Sequence, residues 1–187
     1  RLVGITAFYL EGGQSLNFAL PVEWLANIQP GKKQAVKGKS QTDWLARGTA
    51  LWEKNDWQGL LDWSQQWTRA DPGNAVAWAF LGYAYDELKR YTDAIEAYRQ
   101  VLRIEPDYVL VWYNLGTTYA SLNRYTDATE AFREAVRIKP DHAEAWNNLA
   151  IAYALSGNRG AALEAVQELR RYDPGRADML FNKIAPK

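Results

Sequence analysis

AVAWAFLGYAYDELKRYTDAIEAYRQVLRIEPDY, residues 75–108, aligns without a gap to VLVWYNLGTTYASLNRYTDATEAFREAVRIKPDH, residues 109–142, and 17 of the 34 positions are identical. The same frame runs on through 143–176, with Trp146, Leu149, Tyr153, Ala162 and Pro174 in register. It also runs back through 41–74, with Trp44, Gly48 and Pro72. Self-similarity at a fixed period marks a stack of supersecondary units, each too small to bury its apolar face alone. Apolar residues in 75–88 and 91–104 recur at three- and four-residue steps, which predicts two amphipathic helices per unit.

The recurring residues have physical roles. Leu81, Leu115 and Leu149 point from the first helix into the pair. Gly82 and Gly116 lack a side chain and allow the second helix to come close; Ala150 does so less completely. Ala94, Ala128 and Ala162 are the small residues facing them, and Tyr85, Tyr119 and Tyr153 fill the layer between helices. Asn55, Lys89, Asn123 and Gly157 share one repeat position, where a left-handed residue closes the first helix. Pro72, Pro106, Pro140 and Pro174 stop each second helix, because proline disfavours helix in the residue before it. Asn74, Asp107 and Asp141 are expected to cap the helices that follow.

A period of 34 with Trp, Leu-Gly, Tyr, Ala, aromatic and Pro in this order resembles the tetratricopeptide repeat. The resemblance covers about three quarters of the chain. It implies an all-α fold: a right-handed superhelix of four helix-turn-helix repeats, 41–74, 75–108, 109–142 and 143–176, with a concave side. Terminal repeats lack a neighbour and should be atypical. The first has Arg47 in place of Leu, Ser64 in place of an aromatic, and five tryptophans, Trp44, Trp52, Trp57, Trp63 and Trp67. At the other end, residues 177–187 are expected to form a short capping helix, with Met179, Leu180, Phe181 and Ile184 covering the last pair.

Composition narrows the chemistry. Formal net charge is zero, which excludes a general electrostatic nucleic-acid binder. The basic excess is confined to residues 1–40, and Lys32, Lys33, Lys37 and Lys39 are read as a solvated linker over 29–40. There is no cysteine, hence no disulfide, thiolate metal site or thiol nucleophile. No apolar run reaches about 18 residues, so no membrane insertion is expected. The single histidine, His142, is read as a turn residue beside a helix start, and no second one joins it in a metal site. Carboxylates such as Asp86 and Glu87 are expected on exposed helical positions rather than as a catalytic pair. No cofactor motif and no catalytic constellation is found, so the chain is read as a non-enzyme.

Binding remains. The family resemblance implies a groove lined by first-helix positions 2, 5, 9, 12 and 13. Carried onto this chain, the candidates are Leu45, Thr49, Trp52, Val76, Tyr83, Asp86, Glu87, Leu110, Tyr113, Thr117, Asn147 and Ile151. One subclass of the family clamps C-terminal carboxylates with Lys, Arg and Asn. Asn114 and Asn148 match its asparagine, but its basic positions read Leu45, Ala79, Leu110 and Glu144. A buried carboxylate needs paired cationic donors, so that reading is rejected. The expected partner is a protein or peptide with apolar anchors.

Residues 1–28 stand apart. RLVGITAFYL alternates in the manner of a strand, EGGQ signals a turn, SLNFAL reads as a second strand, and VEWLANI as one or two helical turns. Together these predict a β-hairpin remnant ahead of the repeats. The order of LVGI, GG and NFALPVEWL is similar to the tail of a trypsin-like serine protease domain, in its bacterial stress-protease branch. That resemblance implies a periplasmic or secreted parent, with a cytoplasmic one left open, and a module serving as the arm of a larger protease. No triad residue maps onto this chain, and Ser15 lies in the turn. The chain opens as if in the middle of something longer. A homodimer through the hairpin's open edges or the first repeat is the further alternative.

Overall fold

A computed structural model describes residues 41–185, and these form helices throughout, with no strand among the described residues. They are α1 (Gln41–Glu53), α2 (Trp57–Ala70), α3 (Ala75–Glu87), α4 (Tyr91–Ile104), α5 (Val109–Ser121), α6 (Tyr125–Ile138), α7 (Ala143–Leu155), α8 (Arg159–Leu169) and α9 (Pro174–Ile184). Each repeat contributes two, and successive pairs stack in chain order. The hairpin and linker expected over 1–28 and 29–40 lie outside the described residues.

Within each repeat the turn is a left-handed residue. Asn55, Lys89, Asn123 and Gly157 have φ of 55°, 58°, 58° and 84°. The following amide donates back across the turn, Arg90 to the Tyr85 carbonyl at 2.8 Å and Arg124 to Tyr119 at 2.9 Å. Lys89 is the costly member, since a β-carbon disfavours this conformation by about 1 kcal/mol.

Between repeats a different device operates. The indole N–H of Trp78, Trp112 and Trp146 donates to the carbonyl of Pro72, Pro106 and Pro140 at 2.8, 2.7 and 2.7 Å. Six residues apart, each pair ties the start of a first helix to the turn behind it. The expected caps hold only in part. Asn74 accepts from the Val76 and Ala77 amides, but Tyr108 and His142 fill the same position downstream without a side-chain cap. Asp107 and Asp141 do not cap. They stand one residue too early, and Asp107 instead meets Arg137 at 3.4 Å on the surface.

The expectation of two amphipathic helices per repeat holds for the second helices only. In α3, ten residues from Ala75 to Asp86 are buried, and α5 and α7 are similar. Each of these first helices packs on its own partner and on helices of the adjacent repeats. Such a helix reads as apolar nearly all round.

Helix separation within a repeat is set by size matching. A β-carbon at Gly82 would lie 2.6 Å from the Tyr98 ring, and one at Gly116 would lie 2.6 Å from the Phe132 ring. In the fourth repeat the same two positions hold Ala150 and the smaller Val166, both buried. In the first repeat the aromatic position is Ser64, whose buried hydroxyl donates to the Leu61 carbonyl at 3.0 Å. There a β-carbon at Gly48 would lie 3.5 Å from the Phe80 ring of the next repeat. The tryptophans fill the remaining volume: Trp44 packs tilted on Trp63 at 4.3 Å and stacks on Trp67 at 5.8 Å, and Arg47 lies 5.1 Å over Trp63.

The cap begins earlier than expected. Pro174 occupies the first turn of α9, and the Asp173 carboxylate accepts the Arg176 amide at 3.0 Å. Ala177, Leu180 and Ile184 form its buried stripe. Met179 and Phe181 are exposed, at 53% and 39%, so they do not cover the last pair as expected. Spacing of three and four residues puts Ala177, Leu180 and Ile184 on one face and leaves the other two on its flanks.

Gly116→Ala should destabilise the chain by about 1–3 kcal/mol, since the Phe132 ring has no room to retreat. Gly48→Ala should be neutral or stabilising by up to about 1 kcal/mol, because its new methyl makes ordinary contacts and alanine favours helix. Urea denaturation midpoints of the two variants test the contrast.

Candidate binding groove

Of the first helices α1, α3, α5 and α7, the last two meet directly. The twelve candidate residues all lie on these helices. Leu45, Thr49, Trp52, Glu87, Leu110 and Asn147 are partly exposed there. Val76, Tyr83, Asp86, Tyr113, Thr117 and Ile151 are buried, deeper than an open lining requires. No lysine or arginine occurs among the twelve.

Two aromatic groups form the wall. Tyr83 has the Trp52 and Trp57 rings edge-on at 6.4 and 5.6 Å. Tyr113 stacks on His142 at 5.1 Å and packs on Phe132 at 5.8 Å, and its hydroxyl accepts from the Asn148 amide at 3.1 Å. Asn148 in turn accepts from Asn147 at 3.1 Å, so its amide is engaged at both ends. Burial raises the Tyr113 phenol to about 12 and lowers the His142 imidazole. His142 stands beside a helix start as expected, at the N-cap of α7, and is half-buried against the wall with Glu144 at 3.4 Å.

The largest departure concerns Asp86, expected on an exposed face. It is 5% exposed, with Thr118 of α5 in contact and Tyr98 of α4 nearby at the end of α3 where it sits. The Thr118 hydroxyl donates to its carboxylate at 3.2 Å while also reaching the Asn114 carbonyl at 2.8 Å. Burial, with Glu87 beside it and only the Thr118 bond opposing, raises the Asp86 carboxyl to about 7. Behind it lie the Tyr98 hydroxyl and the Asn114 side-chain oxygen, both buried and neither in a well-formed hydrogen bond, although the Asn114 amide lies close enough to Tyr98 to act on its phenol.

Candidate reading by groove position missed Tyr98, Asn114 and Thr118 as parts of one cluster. The signal was present in the repeat itself. Where the second and third repeats carry Asp86, Tyr98, Asn114 and Thr118, neighbouring repeats carry Ala120 and Ala154, Phe132, Phe80, and Ala84 and Ala152. Four polar residues thus gather at one seam, at positions that are mostly apolar in the other repeats, Ser64 and Asn148 excepted.

Stacked helix pairs with a 34-residue period, left-handed turns and an inner first-helix face define a solenoid of the tetratricopeptide type. Residues 82–122 and 116–157 match the family model for the TPR repeat. No curated protein matches the sequence. Among solved structures, MamA is similar, with 22% identity over 73% of this chain and 91% of that one, at a TM-score of 0.66. MamA 41-end from Desulfovibrio magneticus RS-1 shows 18% identity over 76% and 92%, at 0.68. YrrB, a TPR protein with an unusual peptide-binding site, shows 21% identity over 74% and 75%, at 0.66. These likenesses concern the fold, and none supports the protease resemblance of residues 1–28. Among the described residues, no helix is long and apolar enough to cross a membrane, and no group of His, Asp and Glu could hold a metal ion.

Asp86 gives the site a pH signature. The folded chain keeps this proton to about pH 7, the unfolded chain only to about the ordinary value of 3.8. Between those values the folded state binds more protons, so this group lowers stability as pH rises from about 4 to about 7. His142, held low by burial, acts in the opposite sense below its ordinary value of 6.5. The Asp86→Asn variant separates them. Its stability relative to the parent should climb across pH 4 to 7 by on the order of a few kcal/mol and then level off. Urea denaturation of both proteins across that range measures it, and a flat difference would show that Asp86 titrates normally.

Proposed function

We propose that this chain is a protein-interaction module, without catalysis of its own, that holds a peptide or protein segment along its inner first-helix face. The observation that carries this reading is the set of partly exposed Leu45 and Trp52 on α1 and Leu110 on α5, with Thr49, Glu87 and Asn147 partly exposed on α1, α3 and α7. Apolar anchors on a preformed scaffold suit an extended or helical segment, which gains affinity without reorganising the receptor. The acidic edge at Glu87 and the lack of cationic side chains among the candidate residues favour a segment with apolar and basic residues. The likeness of fold to YrrB, a TPR protein with an unusual peptide-binding site, supports the same class of partner.

Selection from a random 16-residue displayed peptide library tests the proposal. Ligands should be rich in apolar residues. Leu45→Glu with Leu110→Glu should weaken them at least tenfold, a change of about 1.4 kcal/mol or more, while circular dichroism stays unchanged. Ligands indifferent to that double variant would place binding on another surface.

A further inference from the structure

The seam between the second and third repeats holds a polar cluster that the fold does not explain. The matching positions elsewhere are mostly apolar, Trp52, Ala120 and Ala154 for Asp86, and Phe132 and Val166 for Tyr98, with Ser64 and Asn148 the polar exceptions. Tyr98 shows the anomaly most clearly. Its ring does what Phe132 does one repeat later, covering a glycine at the same distance. Its hydroxyl adds only a buried group in no well-formed hydrogen bond, at 1% exposure. Asn114, 5% exposed, likewise has a side-chain oxygen in no well-formed hydrogen bond, whereas the matching Asn148 is satisfied at both ends. A buried polar group without a well-formed hydrogen bond is destabilising, so two of them beside a buried carboxylate form a costly arrangement.

What the cluster lacks is a cation. The titratable groups that face Asp86 are Glu87 and Tyr83 on α3 and Tyr98 on α4, and none is positive. The α5 helix contributes Thr118 and Asn114, which do not titrate. The cluster therefore offers a carboxylate, an amide oxygen and a protonated phenol that can both accept and donate, with no cationic donor.

We propose that Asp86, Asn114 and Tyr98 are the seat of a lysine ammonium carried by the bound segment. This rests on the peptide-groove reading above. An ammonium has three donors on a compact point charge, matching the three oxygens, whereas guanidinium is a broad planar fork that suits a bidentate carboxylate. The Asp86 carboxylate has already lost its water in folding, so pairing it at low dielectric is worth more than the same pair on the surface. Partly exposed Glu87 adds a second negative charge beside it. In the free chain a proton occupies Asp86 near neutral pH, and a bound ammonium should displace it.

The test uses the whole 187-residue chain and small probes. n-Butylammonium chloride is titrated at constant ionic strength while the Asp86 carboxyl carbon is followed by NMR. Expected results are a saturable shift, a fall of at least one pH unit in the Asp86 midpoint, and release of a proton near pH 7. Propylguanidinium should bind at least tenfold more weakly, n-butanol should produce no shift in the midpoint, and Tyr98→Phe should weaken butylammonium several-fold. Asp86→Asn, isosteric and uncharged, should abolish the saturable shifts that neighbouring Thr118 and Asn114 show with the probe. The proposal fails if butylammonium does no more than equal sodium chloride, if butanol matches it, if propylguanidinium binds as tightly, or if either variant leaves binding intact. Display-selected peptides that respond to Leu45→Glu with Leu110→Glu but not to Asp86→Asn would overturn the ammonium seat and leave the groove standing.

Discussion

A glycine facing an aromatic ring decides how closely the two helices of a repeat can lie. At Gly82 with Tyr98 and Gly116 with Phe132, even one added carbon would collide with the ring. Where the ring shrinks to Val166, an alanine is admitted. Close-packed interiors tolerate little change in volume, so the two positions are chosen as a pair. Everything outside that contact follows from it. Helices held this near bury the first helix on most sides, and the tryptophan-to-proline bonds then fix the angle at which the next pair arrives.

Much of this is visible in the letters. Period, turn residues and the small-to-large pairing are local or repeat-bound properties, and the odd Lys89 falls where its glycine and asparagine relatives do. Reading the caps failed because Asp107 and Asp141 look like better caps than Tyr108 and His142. The indole bonds already hold those turns, so the cap is dispensable. Met179 and Phe181 misled for a similar reason: large apolar residues near a chain end suggest a lid, but only one stripe of a helix can face inward.

Asp86 was misread because helical position alone says nothing about what arrives from the neighbouring repeat. An isolated α3 would leave that carboxylate in water; residues from other helices, Tyr98 of α4 and Thr118 of α5, come to lie beside it. Comparing the repeats with one another is more informative than judging each residue by type. At each of the four cluster positions, one or more neighbouring repeats carry a small or apolar residue. A polar residue in such company carries information that the same residue in an irregular fold would not.

Because each repeat rests only on its neighbours, stability runs along the solenoid as a chain of links. The links are unequal. Between the first and second repeats Trp67 meets Phe80 at 6.0 Å in an apolar joint. Between the second and third, a buried carboxylate and two oxygens without well-formed hydrogen bonds weaken the joint. Cooperativity in a linear array breaks first at its weakest link, so this seam is the natural boundary between two unfolding units. The chain then behaves as two short blocks coupled by one adjustable joint, and whatever neutralises the joint makes them one.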